Sequence, residues 1–140
     1  MRPIREILAE SPRFILAGDQ ESVIIIDRAT GQETSAGDHY GNPTCGVIAP
    51  DESWFVTGGD GLVVFTFDGG EKTYLRHLTP PDFYSVMAMR LETPTSVRFL
   101  ADPWSERASV WTFAPLTGEL HKLHDGPDLR EEPYRDEVEF

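Results

Sequence analysis

The chain repeats itself. Shifted by 41 residues without a gap, residues 7–27 (ILAESPRFILAGDQESVIIID) fall on residues 48–68 (IAPDESWFVTGGDGLVVFTFD). Ile7, Phe14, Gly18, Asp19 and Asp27 then meet Ile48, Phe55, Gly59, Asp60 and Asp68. A third unit follows once a longer turn is allowed: in residues 97–120 (VRFLADPWSERASVWTFAPLTGEL), Phe99 answers Phe14, Asp102 answers Asp19, and residues 110–113 answer 23–26. A supersecondary unit repeated in this way cannot bury its apolar face alone and must stack on its neighbours.

Alternation and turn chemistry make each unit up to four short strands. The expected strands are 4–9, 13–18, 22–27 and 32–35 in the first unit, then 45–49, 54–58, 62–67 and 72–78 in the second. The third unit gives 84–92, 96–101, 108–113 and 119–123. Asp60-Gly61 suits a type I′ hairpin, and Thr30-Gly31, Gly69-Gly70 and Thr117-Gly118 occupy one place in the three units, where glycine supplies a positive φ. The third strands, VIII and LVVFTF, are apolar on both faces rather than alternating. That pattern demands cover on both sides, as for a small sheet held between two others.

Residues 46–70 (GVIAPDESWFVTGGDGLVVFTFDGG) resemble a blade of a WD-repeat or related β-propeller, and residues 22–32 and 109–120 resemble the third strand and following Thr-Gly turn of such blades. The Trp-Asp pair of that family is replaced by Ile26-Asp27, Phe67-Asp68 and Phe113-Ala114, and closed propellers have four or more blades. The resemblance therefore implies an all-β chain of three four-stranded blade-like sheets in an open half-propeller or curved stack. Residues 1–124 form one domain, with repeats at about 4–35, 45–78 and 84–123, followed by an acidic tail at 125–140. A pair of copies closing a six-bladed ring and an ordinary β-sandwich are the competing architectures.

Composition narrows the function. The net charge is −12, and the tail holds seven acids against Arg130 and Arg135. Such a surface repels nucleic acid and anionic lipid and favours a basic protein. The tail reads as a solvated terminus or, with Tyr134, Val138 and Phe140 among its acids, as a docking segment. No apolar run is long enough to cross a membrane, and the first residues are broken by Pro3, Arg5 and Glu6 before a signal sequence can form. One cysteine, Cys45, fits a reducing compartment, so a cytoplasmic location is expected.

No motif calls for a cofactor or a metal. GGDG lacks the Lys-Ser/Thr of a phosphate loop. His121 and His124 are three apart, which on a regular strand puts them on opposite faces. Cys45 heads an apolar strand as a small core residue. Asp19, Asp51 with Glu52, and Asp60 read as turn formers first, with paired glycosidase-like acids as the alternative, and Asp60 and Asp102 are the acids whose substitution would test a carboxylate hydrolase. The loops are better candidates for binding. The long turn 102–109 offers Asp102, Trp104, Ser105 and Glu106 as an aromatic anchor among charges; the junction 79–85 offers Phe83 and Tyr84, and the junction 36–44 offers His39 and Tyr40, expected to be exposed. The functional expectation is a non-enzymatic protein-binding module, an acidic inhibitor of the immunity or antitoxin type acting on a basic partner, or a chain that binds a second copy of itself. A carboxylate hydrolase at the mouth of a propeller-like dimer and an inhibitor that mimics nucleic acid are the alternatives.

Overall fold

The computed structural model describes residues 5–74, 85–134 and 138–140. Its twelve strands run in chain order as three antiparallel meanders. Sheet 1 contains β1 (Glu6–Glu10), β2 (Phe14–Asp19), β3 (Ser22–Asp27) and β4 (Glu33–Asp38). Sheet 2 contains β5 (Cys45–Ile48), β6 (Phe55–Gly58), β7 (Leu62–Thr66) and β8 (Gly70–Tyr74). Sheet 3 contains β9 (Val86–Thr93), β10 (Ser96–Ala101), β11 (Ser109–Phe113) and β12 (Leu120–Asp125). The all-β, three-sheet reading holds, and none of the sheets closes on itself. The outermost strands shift most from their expected bounds: β4 and β12 extend further along the chain, and β8 begins earlier. Their apolar pattern is the weakest, so their ends are set by pairing with the third strand.

Sheet 2 lies between the other two, with the first strands β1, β5 and β9 side by side. Its alternation sorts the side chains into two cores. Val47, Val56, Leu62 and Val64 point into a core shared with Val86, Val97, Phe99, Trp111 and Phe113 of sheet 3. Phe55 and Phe65 point the other way, into a core shared with Phe14, Leu16, Val23 and Ile25 of sheet 1. The uniform apolarity of LVVFT thus reflects a strand with a core on each face. Each such side chain contributes about 1.5–3 kcal/mol on burial. Close approach of sheets 2 and 3 depends on Gly58, where a Cβ would stand 2.7 Å from Val86 Cγ1 and 3.0 Å from Cys45 Sγ.

The turns after the third strands behave alike: Gly31, Gly70 and Gly118 take φ of 74°, 70° and 81°. The β6–β7 turn differs from expectation. Neither Asp60 nor Gly61 is among the positive-φ residues, so the connection is not type I′. Gly58 pairs with Leu62, leaving a three-residue turn closed by Gly59 N–H to Gly61 O at 3.1 Å.

The two-core arrangement ranks substitutions. Phe55→Ala, which empties the sheet 1–2 core, is expected to cost about 3–5 kcal/mol in urea unfolding. Gly58→Ala should cost about 1–3 kcal/mol through overpacking against Val86. A Phe55→Ala protein as stable as the parent would contradict the packing.

Candidate functional site

The aspartate at or just beyond the end of the second strand of each unit fastens the segment leading into that unit. In sheet 1, Asp19 Oδ2 accepts from Arg5 Nε at 3.3 Å. In sheet 3, Asp102 Oδ1 accepts from the Ser85 backbone N–H at 2.9 Å and from its hydroxyl at 3.3 Å. Asp102 does this at a φ of 47°, a conformation that favours Asp among side-chain-bearing residues. In sheet 2 the fastener is longer: His39 Nδ1 lies 3.2 Å from Asp60 Oδ1, and His39 Nε2 lies 2.9 Å from Thr57 Oγ1. A carboxylate only accepts, so Nδ1 carries the proton, while Nε2 is within hydrogen-bond distance of the Thr57 hydroxyl. The order hydroxyl, imidazole, carboxylate is that of a nucleophilic triad. Here Thr57 and His39 are 2% and 3% exposed, so the chain of bonds pins the β4–β5 connection to the β6–β7 turn inside the protein.

His39 is therefore not the exposed residue expected from the sequence; its neighbour Tyr40 is, at 76% exposure. The expectation failed because partners for a polar ring on another sheet leave no local sequence signal. Phe83 and Tyr84 lie outside the described residues. Trp104 is half-buried, its ring stacked on Tyr134 at 5.3 Å. Ser105 N–H and Oγ–H both point to Asp102 O at 3.1 Å, and Ser105 Oγ accepts from Arg107 N–H at 3.0 Å, so Ser105 serves the turn. Glu106 is exposed beside them. The segments entering sheets 2 and 3 are bonded to each other and to the neighbouring turns, through Val86 N–H to Gly59 O at 2.7 Å, Thr44 Oγ1–H to Val86 O at 2.5 Å and Ser85 N–H to Asp102 Oδ1 at 2.9 Å.

The described part of the tail is held against sheet 3. Gly126 N–H donates to Ala108 O and Leu129 N–H to Pro103 O, both at 2.6 Å. Leu129 is 4% exposed, and Arg90 of β9 donates to Phe140 O at 2.7 Å with its guanidinium over the Phe140 ring. Leu100 and Val110 are paired across β10 and β11, on the face opposite Phe99 and Phe113, yet are fully buried. The tail supplies cover at this end of the stack. The other end is different. With Leu16 and Ile25 turned inward, Ile15, Ile24 and Ile26 face outward together with Ile7, which is 57% exposed. Arg5, bridging Asp19 and Glu33 at 3.3 and 2.7 Å, lies at the edge of that face, which by register also carries Ser22 and Ser35.

Between sheets 1 and 2 a groove of about 530 Å³ opens, lined by Arg13, Phe14, Ile25, Asp27, Thr34, Asp51, Glu52 and Phe67 among the described residues. Asp27 is held below the usual carboxylate range, first by the Ala29 N–H and also by the Thr30 N–H and Arg13. Asp51 is lowered by the Ser53 hydroxyl and N–H. Glu52, at φ 62°, accepts from the Ser11 hydroxyl and from Arg13 N–H at 3.0 Å. The turn Asp51-Glu52 was legible as a turn; its facing Phe67 and Asp27 across a groove was not, because that requires the inter-sheet geometry.

Three further residues, Cys45, His121 and His124, lie apart from these features. Burial pushes the Cys45 thiol up to about 12, against the pull of Thr44 and Gly58. A β-bulge in β12, where Val110 pairs with His124 and Trp111 with Lys122, brings His121 and His124 to one face, contrary to the regular-strand expectation. No group of three metal-ligating side chains occurs among the described residues. No protein-family model matches the chain, and no curated protein matches it in sequence.

The thiol makes the first site-specific test. In the unfolded chain it ionises near pH 8.5, in the native protein only near 12, so the native state holds the proton between those values. Its contribution to stability is complete below about pH 8.5 and falls as pH rises through that window. Alkylation of native Cys45 at pH 8 should be slow compared with the unfolded protein, and Cys45→Ala should flatten the alkaline loss of stability. Equal alkylation of both states would refute this environment for Cys45.

Proposed function

We propose that this chain is a non-enzymatic protein-binding module, built of three propeller-like blades, that recognises a basic partner protein. An inhibitor of the immunity or antitoxin type, active in a reducing cytoplasm, is its most economical role. The observation that carries the reading is the outer face of sheet 1, where Ile7 is 57% exposed beside the half-buried Ile15, Ile24 and Ile26, while the tail is bonded to sheet 3 and its loops through Ala108, Pro103 and Arg90. An apolar sheet face that no strand of the described residues covers is a surface for association. A charge of −12 opposes pairing of identical copies and steers a cationic protein toward it. The buried Thr57-His39-Asp60 chain, the most enzyme-like constellation present, offers no surface to a substrate.

The test is reconstitution of a complex from the purified partner after capture from source cells. The complex should weaken steadily with salt, and Ile7→Ser, a neutral change at an exposed site, should cost about 2 kcal/mol or more of affinity. Self-association alone, or a complex indifferent to both salt and Ile7→Ser, would contradict the proposal.

A further inference from the structure

The groove between sheets 1 and 2 already holds one cation. Arg13, whose side chain is 65% exposed, pairs with Asp27 at 3.2 Å, and its guanidinium lies over the Phe14 ring at 4.9 Å. A second ring, Phe67, and two further carboxylates, Asp51 and Glu52, line the same groove. Phe67 stands in edge or tilted contact with Phe14, Phe55 and Phe65 at 5.3–5.6 Å, which fixes its ring, yet the residue remains 54% exposed. Three carboxylates against one guanidinium leave it two negative charges. A ring fixed by its neighbours, exposed on one side and flanked by carboxylates, is a receptor for a cation with an apolar stem.

We propose that the groove binds an arginine or lysine side chain of a basic peptide segment, with the cation against Phe67 and paired to Asp51 and Glu52. The proposal rests on the basic-partner reading above and adds a second contact, distinct from the isoleucine face. Arginine is the stronger ligand, because a planar guanidinium stacks on a ring and pairs with a carboxylate in one geometry, as Arg13 does.

The test is fluorescence anisotropy with a labelled peptide alternating glycine and arginine, against its citrulline counterpart. The arginine peptide should bind and the citrulline peptide should not. Asp51→Asn, whose side-chain oxygen still accepts from Ser53, and Phe67→Ala should each weaken binding about tenfold. Glu119→Gln, an exposed acid of sheet 3, should change it less than about twofold. Amide shifts in an NMR titration should centre on Thr34, Asp51 and Phe67. Equal binding of the citrulline peptide, or equal loss in Glu119→Gln and Asp51→Asn, would overturn the groove as a site. A partner complex lost in Ile7→Ser but untouched by Asp51→Asn overturns the groove and leaves the open-face reading standing. Peptide binding with no partner complex at all does the reverse.

Discussion

Burial of the middle sheet on both faces is the constraint on which the rest of the molecule depends. A four-stranded sheet of four- and five-residue strands is too small to persist with one face wet. Sheet 2 is apolar on both, with Val56 and Val64 turned to one neighbour and Phe55 and Phe65 to the other. Removing either neighbour would expose a full core face. The stack therefore has a centre that cannot exist alone and two ends that must be managed. One end is managed by the tail, with Leu129 and Phe140 set against sheet 3. The other is left as an isoleucine surface, and the same stacking creates the groove at the sheet 1–2 boundary.

Registration of the sheets relies on a second recurring device. Asp19, Asp60 and Asp102 occupy one position in three units, and each accepts from the segment that enters its own unit. The partner differs each time: a guanidinium at the surface, an imidazole in the interior, a serine at the loop. The imidazole is the most consequential, since it extends to Thr57 and carries the link across the sheet 1–2 boundary. A buried hydrogen-bonded chain of this kind is expensive to leave half-satisfied, which makes it a positional constraint as much as a source of stability.

Much of the architecture was legible in the sequence. The offset of 41 residues located the units, the Thr-Gly and Gly-Gly turns located the ends of their third strands, and the run LVVFT announced the sandwiched middle sheet, whereas VIII, read the same way, belongs to an end sheet and turns Ile24 and Ile26 away from the core that holds Val23 and Ile25. What escaped was what depends on contact between units. His39 read as an exposed loop residue because nothing nearby in sequence names Thr57 and Asp60 as its partners. Trp104 read either as a binding anchor or as a ring folded back onto the neighbouring unit; it does fold back, but onto Tyr134 of a tail whose charge suggested solvation. Asp60-Gly61 has type I′ composition, but the turn conformation answers to His39 as well as to local preference. The groove pairs Phe67 with residues of sheet 1 that only stacking brings near.

Native-state hydrogen exchange resolved by residue tests the central claim most directly, since it ranks the sheets by the free energy needed to open them. The account predicts that amides of β6 and β7 exchange slowest, at the rate of global unfolding. It also predicts that the Gly126 and Leu129 amides, donors to Ala108 and Pro103, are protected well above a free terminus. Exchange from sheet 2 faster than from both of its neighbours, with an unprotected tail, would contradict a stack organised around its middle sheet.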